Sequence, residues 1–191
     1  MRVVLASKSP RRRELIGEVF PEFEIITEDV DESLPCGVHP QKGVEIIAVR
    51  KGEAVAEKLS RDTLVISSDT LVELDGTALG KPRDRDDAVR MLSSLSGRAH
   101  NVHTGVAVPY KGRVFSGTAS TAVHFRKIDE AEILEYVESG EPMDKAGAYG
   151  IQGGAGKFVT GYDGDYDTVV GLSLALTRKL LNLALECDEL D

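Results

Sequence analysis

The chain has no tryptophan, only two cysteines, and no apolar run of membrane-spanning length. Cys36 and Cys187 are too few and too far apart for a disulfide framework or a CxxC zinc site, and read as inert thiols of a reduced, cytoplasmic chain. The apolar run Val3–Ala6 is too short for a signal-peptide core of ~7–15 residues, and nothing approaches the ~18 apolar residues of a spanning helix. A basic excess is missing as well: 23 Lys and Arg against 32 Asp and Glu give a net charge of −9. That balance argues against a nucleic-acid-binding face, and scarce aromatics leave no stacking platform for single strands. A small anion is still allowed where cations cluster locally.

What is present is an ordinary globular composition, with 41% hydrophobic and 29% charged residues. A length of 191 residues favours one domain, with two lobes around a central cleft allowed, and such a chain buries roughly 70% of its unfolded surface. Val3–Ala6 reads as a short buried strand, followed by a helix from Arg11 to about Val19 with Ser9 as N-cap and Pro10 at its first position. A second strand is expected at Phe23–Thr27, an irregular loop over Val30–Pro40, and a helix from about Gln41 to Leu59. Thr63–Ser67 reads as a strand, and Asp75-Gly76 as a hairpin turn between Leu71–Leu74 and Thr77–Leu79. Asp84 can cap a helix through Leu95, and two long strands at His100–Pro109 and Val114–Phe125 flank a hairpin loop. Asp129 and Glu132 have capping-box spacing, seven glycines between Gly147 and Gly164 mark loops around short strands, and Leu172–Leu185 is an amphipathic helix. Strand-helix units mixed with long hairpins imply an α/β protein with a mixed sheet.

Four constellations carry chemistry. Ser7-Lys8-Ser9-Pro10-Arg11-Arg12-Arg13 lies at a strand-to-helix turn, where hydroxyls, cations and free helix N–H groups suit phosphate oxygens; a solvated basic face is the other reading. It is no P-loop, because GxxxxGK[ST] is absent. Ser67-Ser68-Asp69-Thr70 follows an apolar strand, placing Asp69 just past a strand end, as a metal ligand, a proton acceptor or a plain turn aspartate. Lys81 in Gly80-Lys81-Pro82 and Lys51 on the preceding helix are candidates for phosphate oxygens or surface lysines. Asp31-Glu32 can supply a second carboxylate to a magnesium site or lie exposed in solvent. The histidines are scattered; His100 and His103 fall on opposite faces of one strand, and no Ser-His-Asp arrangement is apparent.

Taken in order, Leu5-Ala6-Ser7-Lys8-Ser9-Pro10-Arg11-Arg12, Ser67-Ser68-Asp69-Thr70, Gly80-Lys81-Pro82, Leu95-Ser96-Gly97 and Asp144 through Gly153 resemble the Maf family of nucleoside triphosphate pyrophosphatases. The resemblance runs on through Gly164-Asp165-Tyr166 to Val169-Val170-Gly171-Leu172. It implies an elongated mixed-sheet fold similar to inosine triphosphate pyrophosphatases, a homodimer, and hydrolysis between the α- and β-phosphates with a divalent cation such as Mg, Mn or Co. It gives Asp69 the proton-acceptor role, with Lys51 and Lys81 among the catalytic cations. Ser7 and Arg12 fall in the phosphate site, and Glu32 assists Asp69 at the metal. Arg11, Thr70 and Gln152 occupy the positions at which family branches differ, and here resemble the branch acting on dTTP and UTP rather than 7-methyl-GTP. House-cleaning of non-standard nucleotides is the implied role, and a non-catalytic nucleotide-binding regulator of cell division is the alternative. Two departures stand out: Ser173 where the family usually has proline, and the glycine-rich Gly153-Gly154-Ala155-Gly156.

Overall fold

The computed structural model describes residues 1–186, so Cys187 lies outside the described residues. The chain is α/β with a mixed sheet, as its pattern predicts. In sequence the strands are β1 (Arg2–Leu5), β2 (Glu24–Ile25), β3 (Thr63–Leu74), β4 (Thr77–Leu79), β5 (Ala99–Tyr110), β6 (Arg113–Phe125) and β7 (Val159–Asp163). The helices are α1 (Pro10–Gly17), α2 (Pro40–Ala56), α3 (Arg85–Leu95), α4 (Glu130–Glu138), α5 (Tyr166–Val170) and α6 (Leu174–Glu186). The hydrogen-bonded order is β2-β1-β3-β5-β6-β7, with β4 paired to β3. Two compact units divide the chain: the first takes Met1–Thr70, Thr104–Ala119 and the chain from Gly171 onward, the second Leu71–His103 and Ser120–Val170.

In the first unit β1 lies parallel to both β2 and β3, in register Val3↔Leu64 to Leu5↔Ile66. Successive side chains of a strand face opposite ways, and here both faces are covered. Leu5, Leu64 and Ile66 pack with Ile16 of α1 and Leu180 and Leu181 of α6, while Val4 and Val65 pack with Val55 of α2. That two-sided burial is why these strands read as unbroken apolar runs. Two expectations are corrected here. The strand sought at Phe23–Thr27 is only Glu24–Ile25, because the four-residue β1 offers a short edge to pair with. The strand sought at Thr63–Ser67 runs on to Leu74, so Asp69 lies within β3; the ladder with β1 stops at Ile66, three residues before it. Ser9 is the residue before α1, but its hydroxyl makes no capping bond; instead its N–H donates to Ser7 Oγ at 3.3 Å. Ser173, in place of proline, stands ahead of α6, where its Oγ accepts the Leu176 N–H at 3.3 Å.

In the second unit the Asp75-Gly76 turn forms as read, with both residues at positive φ (52° and 77°), as a two-residue hairpin requires. Asp84 caps α3 through the Asp87 N–H at 2.8 Å. Glu132 accepts the Asp129 N–H at the start of α4 and holds Arg126 through two 2.8 Å bonds. The core joins Met91, Leu92 and Leu95 of α3 and Ile133, Tyr136 and Val137 of α4 to Phe125, Tyr149 and Phe158.

His100 is buried in this core, edge-on to Phe125 and Tyr149, with Nε2 against Tyr149 Oη at 2.8 Å and Nδ1 without a partner among the described residues. Burial, with a smaller contribution from His124, lowers its pKa from 6.5 to about 4. The folded state therefore favours the neutral ring, so the stabilisation is complete above about pH 6.5 and is lost as pH falls from there towards 4. His100→Gln should flatten the fall in unfolding free energy between pH 7 and 4.5 by roughly 2–3 kcal/mol, measured by urea melts at both pH values.

Candidate functional site

The first unit assembles two connected groups of polar side chains from segments far apart in sequence. Lys51 projects from α2, which lies close to β3 because residue 52 is glycine; a Cβ there would meet Ser67 Oγ at 2.6 Å. Ser67 is fully buried and ties the strand to the helix by donating to the Ala48 carbonyl at 2.6 Å. The Lys51 ammonium lies 2.7 Å from Asp69 Oδ1 and 3.0 Å from Glu32 Oε1. The loop ahead of α2 thus brings Glu32 to the same cation that Asp69 meets from β3. Lys51 and Asp69 are largely sheltered from water, at 14% and 16% side-chain exposure, whereas Glu32 is half exposed. Screening is weak for such a pair, and removing one partner would strand the other's charge.

The second group centres on Arg12, in the first turn of α1. Its Nε donates to the Gly171 carbonyl at 2.7 Å, Nη1 to Ser7 Oγ at 3.3 Å and Nη2 to Thr70 Oγ1 at 3.0 Å. A guanidinium has five N–H bonds, and the other two bond no other described residue. Loss of hydration lowers the Arg12 pKa, while the charges of Asp69 and Glu32 raise it, so the two groups sense one another electrostatically. Thr70 Oγ1 lies 3.0 Å from Thr104 Oγ1, and Ser68 Oγ donates to the Gly171 carbonyl at 2.9 Å. Gly171 therefore gathers α1, β3 and the start of α6 on one oxygen. It has φ of +131°, a conformation that L side chains rarely adopt, and a Cβ would lie 3.4 Å from Arg12 Nε.

Of the residues singled out in the sequence, Glu32, Lys51 and Asp69 meet in one cluster, and Ser7, Arg12 and Thr70 in the other. Arg11 precedes Arg12, and its side chain bonds no other described residue. Lys81 and Gln152 belong to the second unit, where both are exposed. Sequence reasoning missed the anchoring roles of Ser68 and the Gly171 carbonyl, since a backbone oxygen has no residue-type signal. It also missed a buried chain in the second unit: Glu73 Oε2 lies 2.7 Å from His103 Nε2, and His103 Nδ1 lies 2.7 Å from Ser120 Oγ. Spacings of 30 and 17 residues gave no cue to that contact. Glu73 also accepts the Gly76 N–H at 3.0 Å, tying His103 to the β3–β4 turn.

The family model described as Maf-like protein matches residues 2–184. A dTTP/UTP pyrophosphatase of Pelotomaculum thermopropionicum is 48% identical over 181 residues, covering 94% of each chain. Proteins of the same name from Vibrio cholerae (46%, covering 95% of this chain and 97% of the relative) and Thermococcus kodakarensis (44%, covering 96% and 97%) are similar to it over nearly their whole length. Among solved structures, the Staphylococcus aureus Ham1 protein aligns with 83% of this chain and 91% of its own at 19% identity, with a TM-score of 0.46.

Gly171→Ala forces a side chain into the φ +131° conformation and against Arg12. It should cost about 1–3 kcal/mol of stability, lowering Tm by several degrees in a thermal melt.

Proposed function

Since the chain belongs to the Maf-like family, we propose that it hydrolyses nucleoside triphosphates, dTTP and UTP before others, to the nucleoside monophosphate and pyrophosphate. The names of its relatives support that reaction. Within the fold, the observation that supports it best is the pair of carboxylates sharing one ammonium, Asp69 at 2.7 Å and Glu32 at 3.0 Å, with the Arg12 guanidinium in electrostatic reach. Phosphoanhydride hydrolysis needs a group that orients and deprotonates water, and cations that take up charge on the leaving pyrophosphate. Asp69 is assigned the first task. Lys51 and Arg12 are assigned the second, and Lys81 of the second unit the same by family resemblance. A general base contributes about 10²–10⁴-fold and a single positioned charge donor about 3 kcal/mol, so neither kind of group suffices alone.

The same carboxylates suit a divalent cation, because two hard oxygen donors from different segments already converge on one positive charge. Mg²⁺ is usually held by one or two carboxylates, with waters and substrate phosphates completing its shell. Among the described residues no three His, Cys, Asp or Glu side chains form such a group, so Asp69 and Glu32 would be the protein's share. A bound Mg, Mn or Co ion would acidify a water molecule and neutralise phosphate charge. Arg11, Thr70 and Gln152 are assigned base selection, with Thr70 also holding Arg12 in place. Gln152 suits a pyrimidine edge because its amide offers both a donor and an acceptor. Action as a cytoplasmic homodimer that clears non-standard nucleotides completes the proposal. Among the described residues no helix is long and apolar enough to cross a membrane.

A panel of nucleotides assayed for monophosphate and pyrophosphate tests this directly. Turnover should be highest on dTTP and UTP, be abolished by EDTA, and return with Mg²⁺, Mn²⁺ or Co²⁺. A regulator that binds nucleotide without cleaving it would release no pyrophosphate. Asp69→Asn, if its melting curve is unchanged, should lose about 10²-fold or more in kcat; near-normal turnover by this variant would remove Asp69 from the mechanism.

A further inference from the structure

Gln152 sits in the middle of a short loop that is fastened on both sides by one chain of hydrogen bonds. Glu141 opens the 3-10 turn that follows α4. Tyr136 Oη, from α4, donates to Glu141 Oε1 at 3.0 Å and accepts the Gly150 N–H at 3.3 Å. The other Glu141 oxygen accepts the Gly154 N–H at 3.0 Å. The loop closes on itself through the Gly153 N–H and the Gly150 carbonyl at 3.1 Å. Glycine at 153 leaves room for the Glu141 carboxylate in this position, because a Cβ there would overlap it. The glycine-rich stretch is therefore a close-packed strap and not a slack one.

The anchors are themselves fixed. The Tyr136 ring is 4% exposed and meets Phe158 edge-on, with centroids 5.6 Å apart. Burial raises the phenol's pKa and the Glu141 charge adds to the effect, so it keeps its donor proton at neutral pH. Ile151 packs against the core and Ala155 is fully buried, whereas Gln152 is exposed and its amide bonds no other described residue. A free amide on a backbone tied at 150 and 154 has lost the loop entropy that a ligand would otherwise have to remove.

We propose that Glu141, acting with Tyr136, is a specificity-positioning residue: it fixes the 150–154 loop so that Gln152 offers its amide to the nucleotide base in one orientation. This rests on the base-selecting role given to Gln152 above. Glu141 touches neither base nor phosphate in this proposal. Its loss lets the loop sample other conformations and erodes discrimination between bases before it erodes the chemistry.

The experiment measures kcat and KM for dTTP and for GTP in the full chain and in the variants Glu141→Ala, Glu141→Gln, Tyr136→Phe and Gln152→Ala. Gln152→Ala should collapse the dTTP/GTP ratio of kcat/KM. Glu141→Ala should lower that ratio about fivefold or more, chiefly through KM for dTTP, as loss of an orienting hydrogen bond does. Glu141→Gln can still accept the Gly154 N–H and bond the Tyr136 hydroxyl, and should remain within about twofold of the parent. Tyr136→Phe keeps the buried ring and removes only the hydroxyl, so it reads the same strap should Glu141→Ala fail to fold; it too should lower the ratio. If Gln152→Ala moves the ratio while Glu141→Ala and Tyr136→Phe do not, or if these two depress both nucleotides equally, the positioning role is overturned and the base-selecting role of Gln152 stands. If Gln152→Ala leaves the ratio unchanged, the role of Gln152 falls and the positioning role with it.

Discussion

An ammonium shared by two carboxylates is the constraint around which the polar half of the first unit is organised. Asp69 lies within β3, directly after Ser67 and Ser68, both of which are fully buried. A carboxylate there would be costly without a partner, and Glu32 brought near it would add repulsion. Lys51 resolves both problems at 2.7 and 3.0 Å. Its position follows in turn from Gly52, which lets α2 lie close enough to the strand for Lys51 to reach Asp69. Helix approach, strand register and loop position are thereby coupled through one positive charge.

Arg12 is the second point around which polar groups of the first unit gather. Three of its five N–H bonds go to a backbone carbonyl and two hydroxyls, which fix the plane of the guanidinium. A P-loop concentrates its donors in consecutive backbone N–H groups of one loop. Here the polar groups are spread over α1, β3 and the carbonyl of Gly171, so their geometry depends on tertiary contacts across 159 residues of chain. The second unit uses the same logic in its strap, where Glu141 and Tyr136 fasten a loop that has no regular structure to hold it.

Much of this was legible in the chain. Alternation and apolar runs marked the strands, Asp84 and the Asp129/Glu132 spacing marked helix starts, and Asp75-Gly76 marked a turn, because each signal is local and set by backbone sterics or by one nearby hydrogen bond. The mixed α/β class followed from the order of those elements. The candidate residues were legible too, through motifs whose joint occurrence resembled one family. Where local reading failed, a neighbour decided: β2 is short because β1 offers few partners, and β3 continues past Ser67 because it pairs with β4 beyond it.

By itself, then, the sequence determined the kinds of element, their order and the mixed α/β class, and it named the candidate side chains, since those depend on residue type and short-range spacing. Only the tertiary structure decided which of them meet. Glu32, Lys51 and Asp69 converge, Arg12 meets Ser7, Thr70 and the Gly171 carbonyl, and Glu141 lies against Gly153 and Gly154. Such meetings are set by how buried faces pack and by where a missing Cβ lets two backbones approach, and neither quantity is written in any short stretch of chain.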